Sequence, residues 1–313
     1  MTTANELFHP VLELPEPVRQ DRYRRLIGLD AIKSRLRKEA AALADPGALT
    51  RWAGRYHPDA GTDAAALALL RDRAPLLLFA GDVGCGKSAL AESFGCDLAE
   101  ALSVPVMLYR LKLTTRGTGH VGEMTALIGE AFKAVSTEAR LGRSHNGALK
   151  SVTVLVVDEA DALVQSREAA QMHHEDRAGV DAFLAGVDEF AGTDVPLLIV
   201  LCTNRLAALD PALRRRAAAT FEFGRPDDDQ RHTVLTAALA GFDVSADVID
   251  KLVELTGPYA HGEPGFTYSD LTQRLIPTAV LHAFPDRPMS ADLLVEVAGS
   301  MAATPVFGNS VSI

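Results

Sequence analysis

The segment that most restricts this chain is Gly81-Asp82-Val83-Gly84-Cys85-Gly86-Lys87-Ser88, which directly follows the apolar run 75–80 and opens a helical pattern. Its spacing, GxxxxGK[ST], works between a buried strand and a helix N-terminus. Glycines let successive backbone N–H groups curl about phosphate oxygens, and the helix start adds partial positive charge. In that chemistry Lys87 reaches the β- and γ-phosphates and the Ser88 hydroxyl ligates Mg²⁺. The nucleotide-contacting stretch is read as Gly81, Asp82, Val83, Gly84, Cys85, Gly86, Lys87, Ser88 and Ala89. Cys85 is read as a small loop residue, because nothing near it in sequence argues for a reactive thiol.

A loop of this kind needs a parallel sheet around it, and the pattern supplies one. Short, largely apolar runs at 75–80, 105–112, 151–157, 195–202 and 219–223 are strand candidates. Helical patterns at 87–101, 122–140 and 178–190 lie between them, with an earlier helix from Asp30 and short ones in 47–72, broken at Gly54, Pro58 and Gly61. Apolar strands alternating with helices imply an α/β fold with a mostly parallel sheet covered on both faces. After Pro226 the strands stop, and 227–239, 246–256, 268–284 and 289–302 read as a small all-α lid domain. The expected division is an extended leader over 1–22, a large α/β domain over 23–225 and the helical domain over 226–313.

Composition narrows the class further. The net charge of -10, from 31 Lys+Arg against 41 Asp+Glu, argues against a protein held on nucleic acid by general charge. No apolar run approaches the roughly 20 residues that cross a bilayer. Three cysteines (Cys85, Cys96, Cys202) without CxxC spacing fit a reducing cytoplasm better than a disulfide framework or a zinc ribbon.

Two further strand ends carry polar groups. The run 152–157 ends in Asp158-Glu159, where ligands bind in such sheets. Asp158 would hold the Mg²⁺ shell, and Glu159 would orient or deprotonate an attacking water; the plainer alternative is an acidic helix cap. The run 195–202 ends in Thr203-Asn204, where Asn204 either polarises the same water or is a turn residue. Arg214, Arg215 and Arg216 cannot all face one way on a helix. They make either a solvated, ion-paired face or a finger reaching a neighbour's nucleotide.

The order of these motifs resembles the AAA+ ATPases. GDVGCGKS looks like Walker A, VTVLVVDE like Walker B, CTN like sensor 1, and LDPALRRR like the arginine-finger helix, with Arg215 and Arg216 on the matching positions. FEFGRPDDDQR resembles the family's link into its helical lid, and the likeness runs from about Leu26 to Ala303. Val121-Gly122-Glu123 with Phe132 is similar to the first pore loop of the AAA clade. That register puts His120 and Val121 where those motors grip substrate polypeptide. Ser166-Arg167-Glu168 and the stretch Gly179 to Asp188 look most like the pachytene-checkpoint ATPases, remodelers of HORMA-domain proteins. Bacterial relatives of that group serve cyclic-oligonucleotide anti-phage signalling (CBASS), where they act on HORMA–nucleotidyltransferase complexes.

The resemblance implies ATP and Mg²⁺ as ligands, a homohexamer, a threaded protein substrate and no membrane. It has one departure: Ser269 stands where the pachytene-checkpoint group carries a sensor-2 arginine, and Arg274 lies five residues beyond. Ile27 and Gly28, after Leu26, would line the adenine pocket, although Leu26 and Ile27 fit core packing nearly as well. Asp227-Asp228-Asp229 reads as an acidic first turn, and His173-His174 as a polar loop rather than a metal pair. Two rivals stay open: a motor or loader acting on nucleic acid, and a nucleotide-gated scaffold with little hydrolysis.

Overall fold

The computed structural model describes residues 7–60, 64–112, 123–160, 174–259 and 263–306. The chain divides into two compact units. One takes Met1–Arg24, Ile32–Ala80 and Ser88–Phe221, and the other takes Arg25–Ala31, Gly81–Lys87 and Glu222–Ile313.

The first unit is built on a sheet of β1 (Leu12–Leu14), β2 (Leu76–Gly81), β3 (Val106–Arg110), β4 (Val152–Val157), β5 (Leu197–Thr203) and β6 (Ala219–Phe223). Their order across the sheet is β1-β3-β4-β5-β2-β6. The pairs β3–β4, β4–β5 and β5–β2 are parallel, and β1 joins β3 antiparallel. This is the expected α/β fold. Every residue of β4 and β5 is buried, as are Leu76–Ala80 of β2, which is why these strands read as nearly continuous apolar runs rather than as alternation. Ala80 pairs with Thr203 and Val157 with Leu201, so β2, β5 and β4 all end on one edge.

Along this part of the chain run α1 (Pro17–Arg24), α2 (Asp30–Ala44), α3 (Pro46–Tyr56), α4 (Ala65–Arg71), α5 (Lys87–Ala91), α6 (Phe94–Leu102), α7 (Glu123–Leu141), α8 (His174–Asp188) and α9 (Pro211–Arg216). Helices α7 and α8 pack on the sheet through Phe132 and Phe183, edge to face with ring centroids 5.2 Å apart. Gly186 makes this possible, because a Cβ there would sit 2.6 Å from the Phe132 ring. Among the described residues no helix is long and apolar enough to cross a membrane.

Several elements differ from the sequence reading. The leader, expected to be extended, contains β1 and α1. Three strand residues are too few to show a period, yet Leu14 is fully buried and the ladder to β3 holds them. Helix α1 buries no residue; Arg19 and Arg22 instead bind Glu92, which Arg110 also holds at 3.2 Å. The helix expected over 87–101 is two, α5 and α6. The break lies at Glu92-Ser93, where the Ser93 hydroxyl donates back to the Ala89 carbonyl at 2.6 Å. Gly54 does not break its helix. His174 begins α8 rather than extending a loop.

The second unit holds α10 (Asp228–Ala238), α11 (Ala246–Leu255), a π-turn at Asp270–Leu275 running into α12 (Ile276–Ala283), and α13 (Ala291–Ser300). Asp227 caps α10 in a capping box with Gln230, and Asp228 and Asp229 fill the acidic first turn. The span expected as one helix over 268–284 widens into the π-turn just before Pro277. The proline has no N–H for an α-helical bond, and the wider turn removes the ring's clash with the preceding carbonyl. A core of Leu235, Leu252, Phe266, Leu271, Leu275 and Leu294 closes the unit.

Gly186→Ala is expected to destabilise the first unit by about 1–2 kcal/mol. Overpacking against Phe132 costs about 1–3 kcal/mol and helix propensity returns about 1 kcal/mol. Urea unfolding at neutral pH measures the difference.

Candidate functional site

The phosphate loop belongs to the second unit. Gly81, Gly84 and Gly86 have φ of +152°, +76° and +95°, where side-chain-bearing residues are strained. At Gly81 a Cβ would also lie 2.1 Å from the Phe223 carbonyl oxygen. The chain therefore turns back on itself, and the buried Lys87 ammonium donates to the Gly81 and Asp82 carbonyls at 2.9 and 2.7 Å. A buried ammonium needs such partners. Ser88 and Ala89 continue into α5, both half-buried.

The loop is held by the helical unit. The Gly84 carbonyl accepts from the Ser269 N–H at 3.0 Å. A Cβ on Gly84 would lie 2.7 Å from the Thr267 Oγ1, so the close approach itself requires glycine. Asp82 accepts through Oδ2 from Nε and Nη2 of Arg225, at 2.8 and 2.6 Å, while Nη1 of Arg225 donates to the Gly265 carbonyl at 2.6 Å. Sequence reasoning passed over Arg225 as part of a link. The available signal was Asp82 itself, since an acidic side chain inside a phosphate loop calls for a cation nearby.

Thr267 and Asp270 shape the stretch that carries Ser269. The Thr267 N–H donates to Asp270 Oδ2 and the Asp270 N–H donates to Thr267 Oγ1, at 2.9 and 3.1 Å. Asp270 is fully buried and also accepts from the Thr304 N–H, the Thr304 hydroxyl and Arg274. Burial pushes its carboxyl up, but these hydrogen bonds outweigh it and bring the pKa from 3.8 down to about 2. Arg274 is thus committed to Asp270.

Gly28 has φ of +77° and gives its carbonyl to Gln230 Nε2 at 2.9 Å; a Cβ there would lie 2.5 Å from the Tyr268 hydroxyl. Ile27, half-buried, packs against the apolar core of the helical unit, in keeping with the packing alternative. The Cys85 thiol is fully buried, and burial, reinforced by Asp82, pushes it up to about 11 against the pull of Lys87 and Arg225.

On the sheet edge of the first unit, Asp158 and Glu159 follow β4 and are exposed. The Glu159 N–H donates to Asp158 Oδ1 at 2.9 Å, and Glu159 has φ of +50°. Left-handed backbone costs a non-glycine residue about 1–2 kcal/mol, and strain of this kind gathers at functional sites. Asn204 follows β5 and is half-buried; next to it the Arg205 N–H is held by the Thr203 hydroxyl at 3.0 Å. On α9, capped by Asp210, the two candidate fingers part company. Arg215 is exposed, whereas Arg216 forks onto Asp188 of α8 at 2.6 and 2.9 Å. His120, Val121, Ser166-Arg167-Glu168 and His173 lie outside the described residues.

The residues fit a magnesium nucleotide. Among the described residues no three His, Cys, Asp or Glu gather into an all-protein metal cage. Mg²⁺ in phosphate sites is held instead by one or two protein oxygens together with the phosphates, for which Ser88 and Asp158 have the right chemistry.

A loop of this form, on a parallel sheet with acidic and amide residues at the neighbouring strand ends, defines a P-loop ATPase. The description "ATPase family associated with various cellular activities (AAA)" matches residues 77–225, and the chain belongs to the AAA ATPases. Within that family it is similar over nearly its whole length to CD-NTase-associated protein 6 of Escherichia coli (strain MS 115-1). The two are 46% identical over 305 residues, covering 97% of each. A chain of the solved E. coli MS115-1 HORMA:CdnC:Trip13 complex superposes with a TM-score of 0.92 at 44% identity, covering 98% of this chain and 99% of that one. Rhizobiales Trip13 superposes with a TM-score of 0.74 at 39% identity, covering 95% and 99%.

The Asp270 pKa gives a pH dependence. Its folded value is depressed, so its stabilisation is full above the unfolded value of 3.8 and is lost as pH falls through about 2. A depression of this size is worth about 2–3 kcal/mol. Asp270→Asn is expected to lower stability against urea at pH 7, with the gap from wild type closing steadily below about pH 4.

Proposed function

We propose that this ATPase is an Mg²⁺-dependent protein remodeler that works as a homohexamer in the cytoplasm. Its proposed substrate is a HORMA-domain protein, engaged together with a nucleotidyltransferase in CBASS signalling. The observation that carries this reading is the near-full-length likeness to a chain solved in a HORMA:CdnC:Trip13 complex. The intact loop and the acidic strand end support turnover rather than a silent scaffold, and the net charge of -10 supports a protein substrate over nucleic acid.

In this reading the division at 225/226 separates a large ATPase domain from its lid. The glycine loop receives the ATP phosphates, and Lys87 turns from its own carbonyls to the β- and γ-oxygens. Mg²⁺, when bound, neutralises phosphate charge, with Ser88 and Asp158 as its protein oxygens. Glu159 takes the proton of the attacking water and Asn204 orients that water. Arg215, exposed on α9, reaches the nucleotide of the next subunit, while Asp188 steadies Arg216 beside it. A finger of this kind accelerates the reaction by about 10³–10⁵, or about 4–7 kcal/mol of barrier. Ile27 and Gly28 border the adenine, and the His120–Val121 loops grip the polypeptide in the central channel.

Glu159→Gln is expected to bind ATP and assemble, with hydrolysis lowered by at least about 10². Used as a trap in extract of the native cell, it should retain a HORMA-domain protein in an ATP-dependent way. Retention of DNA instead would replace this reading with the nucleic-acid motor. Unchanged phosphate release would remove Glu159 from its role. In mixed hexamers, Arg215→Ala is expected to lower the turnover of neighbouring wild-type subunits, whereas a loss confined to the variant's own site would rule out a trans finger.

A further inference from the structure

Asp82 is an awkward residue for a phosphate loop. Its carboxylate sits one position past the strand, on the loop proposed to receive a polyphosphate, and an unpaired negative charge there opposes the ligand. The structure answers this within the helical unit. Both carboxylate oxygens are engaged: Oδ1 accepts from the Val83 N–H at 2.9 Å, and Oδ2 takes the fork of Arg225. Each of the two side chains is 14% exposed, so the pair is largely shielded from water and salt. The third donor of Arg225 reaches the Gly265 carbonyl, two residues before the Thr267–Asp270 pair that shapes the turn behind the Ser269 N–H. The loop is therefore pinned to the helical unit at two points, Gly84 through backbone and Asp82 through Arg225.

We propose that Arg225 is a positioning residue for nucleotide binding, which cancels the Asp82 charge and fastens the phosphate loop to Gly265 of the helical unit. Arg225 acts on the loop and not on the phosphates, and its planar, three-way donor pattern suits the task where a lysine ammonium would not. The inference rests on the loop binding nucleotide and deepens that reading.

The test is a double-mutant cycle on the full-length protein, read as the dissociation constant of a fluorescent ATP analogue with Mg²⁺. Arg225→Ala is expected to weaken binding about tenfold when Asp82 is present and less than about twofold in an Asp82→Asn background. Loss of the Gly265 bond is common to both backgrounds, so a merely structural role would cost the same in each, and that result would overturn the proposal. Arg225→Lys, which keeps the charge and loses the fork, is expected to fall between wild type and Arg225→Ala with Asp82 present. Should Arg225→Ala fail to fold, the Lys variant in the two backgrounds runs the same cycle, with a loss of about threefold expected only beside Asp82; equal losses would again overturn it. Failure of the wild-type protein to bind the analogue would refute the nucleotide reading itself, and is distinguished from these outcomes by the wild-type titration alone.

Discussion

A sheet buried on both faces has nowhere to put a polar side chain except at the ends of its strands. From Leu76 to Ala80, Val152 to Val157 and Leu197 to Thr203 every residue of β2, β4 and β5 is buried, and Thr153 is the one polar side chain short of a carboxyl end. The same constraint settles the register. Strands that are apolar on both sides have no alternation to align them. Sliding β4 by one residue toward its start, however, would draw Asp158 into the core unpaired, at a cost of several kcal/mol. The polar residues that end the strands therefore help fix the pairing, and the chemistry of the site and the stability of the sheet share one edge.

Fastening the phosphate loop is a separate task, and the helical unit performs it. The loop's glycines are required by two different neighbours. Gly81 makes room for the Phe223 carbonyl, and Gly84 makes room for Thr267 and Ser269. Composition that looks dedicated to phosphate thus also answers to protein packing. This accounts for the compactness of a unit that gathers Arg25–Ala31 and Gly81–Lys87 around helices from the far end of the chain.

What could be read in advance follows from the range of the forces involved. The central strands, the loop, the acidic first turn at Asp228-Asp229 and the all-helical character after Pro226 depend on residues close together in sequence, and they are legible there. The break between α5 and α6 depends on Ser93 bonding back to Ala89 and on Glu92 drawing in arginines from α1 and β3, which no local pattern reveals. The pairs Arg225–Asp82 and Arg216–Asp188 join residues 143 and 28 positions apart. Three consecutive arginines look equivalent in sequence. About 100° of helical rotation between neighbours sends one to Asp188 and leaves Arg215 exposed.

Cys85 gives the buried loop one more property. Burial pushes the thiol up to about 11, so the protonated form dominates at neutral pH. Thiolate, not thiol, is what attacks disulfides, peroxides and alkylating reagents. A sulfur in the middle of the phosphate loop is thus both buried and held as the less reactive thiol.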